Sequence, residues 1–165
     1  MTTYLTTFLL AIAPISEIRG SMIYGLYQLD HTIVNILTIY GISVIANFLP
    51  APFVIMVFRP IIKWLKRTKL LGRFAHWLES RTHRKAGDIS RKSARAAAVA
   101  LYIFVAIPFP TTGAWTGSMI AGLLDMRAKY ALPAILLGIM TSGAIMTLLV
   151  TGVLNLGAFG EWLMK

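Results

Sequence analysis

The sequence predicts an all-α membrane protein built as an inverted repeat, each half a re-entrant helical hairpin plus a transmembrane helix, with a basic amphipathic cytoplasmic segment between the halves. Three observations lead there. Hydrophobic residues make up 57% of the chain and charged residues only 13%, about half the charged share of a water-soluble domain. Two long stretches carry no charge at all, and two further apolar regions are broken near their middles by proline and glycine.

The first broken region, residues 4–29, is interrupted by Pro14-Ile-Ser16-Glu17-Ile-Arg19-Gly20. The second, residues 96–124, is interrupted by Pro108-Phe-Pro110-Thr111-Thr112-Gly113-Ala-Trp115-Thr116-Gly117. Proline lacks a backbone donor and disfavours helix in the residue before it, so Pro14, Pro108 and Pro110 are expected to stop a helix. Non-helical backbone at membrane depth survives only against protein or a water-filled cavity, the setting of a re-entrant hairpin. The apolar arm on each side of a break is about 8–12 residues, enough at ~1.5 Å per residue to reach the midplane but not to cross.

Residues 32–58 and 130–160 contain no charge, and each exceeds the ~20 residues that cross a ~30 Å hydrocarbon core. These are the expected spanning helices. Between the halves, residues 59–95 hold twelve of the sixteen Lys and Arg against only Glu79 and Asp88, which accounts for the whole net charge of +10. One basic loop between apolar stretches is the pattern of a cytoplasmic connection and not of a nucleic-acid binder. Within it, Ile61, Trp64, Leu65, Leu71, Phe74, Ala75 and Leu78 recur near helical spacing. That pattern predicts an amphipathic helix over 60–80, lying on the inner leaflet with Lys63, Lys66, Arg67, Lys69 and Arg73 at anionic lipid headgroups, each worth ~1 kcal/mol near the surface.

The halves repeat: Gly20-Ser-Met-Ile-Tyr-Gly-Leu26 matches Gly117-Ser-Met-Ile-Ala-Gly-Leu123 at six of seven positions. The expected organisation is one membrane domain, with repeat 1 over 1–58, the linker over 59–95 and repeat 2 over 96–165. If the linker is cytoplasmic, the first hairpin opens outward at Asp30-His31 and the second opens inward at Arg127 and Lys129. Fourteen of the sixteen Lys and Arg then lie inside. Both termini are expected outside an inner (plasma) membrane crossed more than once, and no secretory signal is evident in the first residues.

Glu17 and Arg19 are the only charges inside an apolar region, and an intramembrane ionisable residue is a functional candidate by default. Low dielectric disfavours the ionised carboxyl, so Glu17 is a candidate for proton uptake and release, with Arg19 as the group that meets an anion; the alternative is a structural ion pair. Gly20-Ser21 and Gly117-Ser118 are expected to begin the returning arms, offering free N–H groups and positive helix ends to an anion. Close packing is the competing reading, because Ser21/Gly25, Gly117/Ala121 and Ser118/Gly122 are small-xxx-small pairs. Ser16, Thr111, Thr112 and Thr116 add hydroxyls at the same depth, and Asn47, Pro50 and Pro52 are expected to kink the first span beside the hairpin tip. Trp115 is a gate or, more simply, an interfacial anchor. The absence of cysteine, three scattered histidines and no triad or phosphate loop leave no cofactor, no metal and no enzymatic activity to expect.

The Pro14–Gly20 run followed by Pro108–Gly117 resembles the small multidrug export family over nearly the whole chain, and that family resembles, distantly, the DedA membrane proteins of the VTT/SNARE-associated type. The resemblance implies a transporter with two opposed re-entrant hairpins; DedA relatives are associated with moving or scrambling lipids, often with dependence on the proton gradient. Glu17 matches their acidic position in the first hairpin. The second acid and the hairpin arginines typical of DedA proteins are missing, Arg127 being the nearest basic residue. The expected function is transport of an amphipathic or anionic substrate (a lipid, a lipid-linked phosphate or a drug-like molecule) by a homodimer or larger assembly among membrane lipids. A passive lipid scramblase and a scaffold that recruits partners through its basic helix are the alternatives.

Overall fold

The computed structural model describes residues 2–30, 32–65, 90–109 and 112–163. Every regular element among them is a helix: α1 Thr2–Ile12, α2 Glu17–Gln28, α3 Ile33–Phe48, α4 Pro50–Leu65, α5 Ser90–Ala106, α6 Ala114–Leu123 and α7 Ala128–Leu163. Two stretches, Ile33–Phe58 and Ala128–Gly152, are long and apolar enough to cross a membrane. With 11, 12 and 10 residues, α1, α2 and α6 are about 15–18 Å long at ~1.5 Å per residue, short of a ~30 Å core.

The chain leaves helix where the prolines predict. It turns over 13–16, around Pro14, and is non-helical at 107–109, around Pro108, and at 112–113; Pro110 and Thr111 lie outside the described residues. The Thr112 hydroxyl ties the second turn to itself, within 2.7 Å of the Ile107 carbonyl and accepting the Phe109 N–H at 3.2 Å.

The returning helices start earlier than the sequence suggests. α2 begins at Glu17 and α6 at Ala114, each three residues before the Gly-Ser pair, so Gly20 and Gly117 stand inside the first turn. A second difference concerns Pro60. The sequence reads it as the start of a separate surface helix, yet α4 runs through it to Leu65. Pro60 deprives only the Met56 carbonyl of a donor, and both residues are exposed. α5 likewise starts inside the predicted linker, at Ser90. Lys63 lies near the end of α4; Lys66, Arg67, Lys69, Arg73 and His31 lie outside the described residues. The first span is two helices joined at Leu49, whose φ of −55° and N–H bond to the Ile45 carbonyl keep the turn helical. Pro50 and Pro52 take the donors from Ala46 and Phe48 just beyond Asn47.

Helix contacts cross between the halves. α1 and α3 flank α2, and a Cβ on Gly25 would stand 2.7 Å from Ile39 and 2.9 Å from the Thr7 hydroxyl. α5 lies along α7 in the same direction: Gly138 abuts Val105, and toward the N-terminal ends Ala98 and Val99 share a groove with Lys129 and Pro133. α2 packs on α7 and α6 packs on α4, so each short returning helix rests on a long helix of the other half. One cluster results, with Ile18, Met22 and Leu26 of α2, Ile39 of α3, Ile55 of α4, Val105 of α5, Ala121 of α6 and Ile135 of α7. Outside it, Leu37, Phe53, Val99, Leu137 and Leu148 are exposed, an apolar exterior of the kind a bilayer solvates.

Candidate functional site

The two breaks meet at Glu17. Its backbone sits at φ 48°, left-handed geometry that costs an L-residue roughly 1–2 kcal/mol and that commonly marks functional positions. The side chain shows what holds it there. Glu17 is 4% exposed; Oε1 accepts the Trp115 N–H at 3.2 Å and Oε2 lies 3.5 Å from Arg19 Nη2. Trp115 is the second residue of α6, where N–H groups lack partners within the helix and the dipole is positive. The residue before α6, Gly113, has no side chain with which to cap it. A carboxylate from 98 residues upstream does so instead.

Gly113 is needed for its emptiness. A Cβ there would lie 1.4 Å from Glu17 Oε2, while its φ of −141° is open to any residue. Trp115 completes the junction with a second donor, its indole Nε1–H, which bonds the Ile12 carbonyl at 2.9 Å. Ile12 ends α1 and Glu17 starts α2, so one tryptophan holds both sides of the first break.

Of the residues singled out from sequence, the structure thus gathers Glu17, Arg19, Gly113 and Trp115. Others are engaged locally. The Ser16 hydroxyl bonds the Leu10 carbonyl. The Gly20 and Gly117 N–H groups are not free for an anion, because they donate to Ser16 O at 2.9 Å and Gly113 O at 2.8 Å; this follows from the earlier helix starts. Ser21 and Ser118 are wholly buried and donate to Ile18 O at 3.0 Å and Ala114 O at 2.6 Å. Their small-residue faces pack closely, a Cβ on Gly117 falling 2.6 Å from Val105. Thr116 is half-buried. The indole donor of Trp115 is the signal sequence reasoning passed over: a Trp N–H in an apolar setting generally finds an acceptor.

Asn47 is wholly buried, and both its amide atoms, with the Ser43 hydroxyl one turn earlier on α3, have no hydrogen-bond partner among the described residues. Leaving such a group unsatisfied costs about 1–3 kcal/mol. Asn47→Leu, close to isosteric, is therefore expected to raise the thermal unfolding midpoint in detergent, and Asn47→Asp to lower it; differential scanning fluorimetry reads both. Among the described residues no three His, Cys, Asp or Glu come together to hold a metal ion.

No curated protein and no solved structure matches the chain. A family model described as "Putative small multi-drug export protein" matches residues 17–145, a stretch that contains both returning helices and the Glu17–Trp115 junction. With more than three quarters of its length inside that match, the chain belongs to the family of putative small multi-drug export proteins.

Proposed function

We propose that this protein is an inner-membrane transporter of an amphipathic or anionic substrate, with two re-entrant hairpins entering from opposite faces and the Glu17 junction as the gate between them. The observation that carries this reading is the buried Glu17 carboxylate on the N-terminus of α6 beside Arg19. A helix N-terminus next to a guanidinium is a place for an anion, and here the chain supplies the anion itself. Protonation of Glu17 removes that charge, and the Trp115 N–H and Arg19 become available to a phosphate or carboxylate on the substrate. Loss of the proton restores the clasp and expels the bound group, which couples substrate movement to the proton gradient.

Three features support the hairpins and the inverted repeat. α1, α2 and α6 are too short to cross, α5 and α7 run the same way, so that α6 turns back and does not continue α5, and the returning helices are exchanged between the halves. Midplane sites between inverted repeats built from broken helices are a common transporter plan, and a likeness to DedA proteins fits it. Two spans enclose little of a pathway, so a homodimer or larger assembly completes it. No enzymatic step is proposed.

The test is lipid movement in proteoliposomes, using fluorescent phosphatidylglycerol and phosphatidylcholine with and without an imposed pH gradient. Gradient-dependent movement of the anionic lipid is the expected result. Equal, gradient-independent movement of both lipids would assign passive scrambling, and no movement of either would overturn transport of lipids.

A further inference from the structure

A second feature lies away from the Glu17 junction and shares no residue with it. Where α5 and α7 touch, Gly138 meets Val105 so closely that a Cβ would stand 2.7 Å from Val105 Cβ. Toward the N-terminal ends of both helices, the small side chains of Ala98 and Ala134 leave a groove of about 340 Å³ between them, with Val99, Tyr102, Pro133 and Leu137 along its sides. Its walls are apolar. The one hydroxyl of Tyr102 pairs with Thr141 at 3.2 Å, leaving the ring to face the groove.

One end of the groove carries a lysine. Lys129 lines it, with Nζ 5.2 Å from the centre of the Tyr130 ring, and Arg127 two residues earlier is exposed. Lys129 is the second residue of the apolar stretch Ala128–Gly152, which puts its ammonium at the level where a hydrocarbon core gives way to headgroups, and Tyr130 is an interfacial aromatic beside it. The positive end of α7 adds to the same potential.

From this juxtaposition of an apolar groove with a cation at its headgroup-level end, we infer a binding site for one anionic phospholipid, its acyl chain along Val99, Ala134 and Leu137 and its phosphate at Lys129. An acyl chain satisfies the walls and a phosphate the ammonium. A zwitterionic lipid fills the groove equally well but brings a second positive charge to Lys129. A second copy of this chain packed here would bury that ammonium, at a cost of several kcal/mol unless an acid met it. The site requires no transport, so it stands or falls separately from the proposal above.

The experiment places a photoreactive diazirine amino acid at Val99, which is exposed, in nanodiscs of equal phosphatidylglycerol and phosphatidylcholine with matched acyl chains. Mass spectrometry counts the adducts. Phosphatidylglycerol adducts should exceed phosphatidylcholine by about fivefold, the ratio that ~1 kcal/mol per lysine near the surface gives. Lys129→Gln should bring the ratio to parity without changing the unfolding midpoint, and the same probe at Leu37 on α3 should show no preference. Equal labelling by the two lipids at Val99, a ratio that survives Lys129→Gln, or adducts to a second protein chain would each overturn the assignment.

Discussion

Glu17→Ala is expected to lower the unfolding midpoint in detergent sharply and to abolish gradient-driven lipid movement, whereas Glu17→Gln should keep most of the stability and lose only the coupling. The alanine variant removes a charge-assisted bond to the Trp115 N–H, a type of bond worth about 1.5–3 kcal/mol. It also takes from Arg19, which is 19% exposed, the acidic partner it has among the described residues. Glutamine retains an acceptor oxygen at the same reach, so the cap on α6 persists in weaker form. What it cannot do is exchange a proton. The pair of variants therefore separates the two jobs assigned to Glu17: fluorimetry reports the clasp, and proteoliposomes with an imposed pH gradient report the coupling. A glutamine variant that still drives lipid movement with the gradient would remove Glu17 from proton coupling while leaving its structural role in place.

Much of this architecture is legible in the sequence because it is imposed locally or by composition. A charge-free run longer than the hydrocarbon core has few alternatives to a spanning helix, and Pro14 and Pro108 stop helices through their own missing N–H groups. Glu17 stands out as a lone acid in an apolar region, a position that calls for a compensating partner. The partner itself is not legible. Trp115 is 98 residues away, and which of several N–H groups near Gly113–Gly117 receives the carboxylate depends on how α6 seats against α4, a tertiary matter. The helix starts are not legible for a related reason: glycine looks like a helix boundary, yet Gly20 and Gly117 lie inside the first turn, where Ser16 and Val105 leave no room for a side chain. Pro60 shows the opposite error. A local rule that ends helices at proline gives way where the proline and the residue whose carbonyl it leaves without a donor are both exposed. Ser43 and Asn47, buried without partners among the described residues, have no sequence signal at all, since an Asn in a span reads equally well as a packed, bonded or pore-lining residue.

Gly113→Ala should displace the Glu17 carboxylate and destabilise the protein, and the damage should vanish when Glu17 is shortened. The added Cβ would lie 1.4 Å from Glu17 Oε2 and 2.2 Å from Cδ, distances that no rotamer adjustment of a few tenths of an ångström absorbs. Either the carboxylate leaves the N-terminus of α6 or α6 moves off α4. Overpacking of this kind costs about 1–3 kcal/mol, and loss of the charge-assisted bond adds to it. Glu17→Gly removes the obstructing group and also suits the backbone at φ 48°, where glycine carries no steric penalty. In a double-mutant cycle read by denaturation midpoints in a fixed detergent, Gly113→Ala should therefore cost several times more beside Glu17 than beside Gly at position 17, with a coupling energy of about 1–3 kcal/mol. An additive cycle would mean that the Glu17 side chain does not occupy the space in front of Gly113, and the gate proposed for this junction would lose the contact on which it rests.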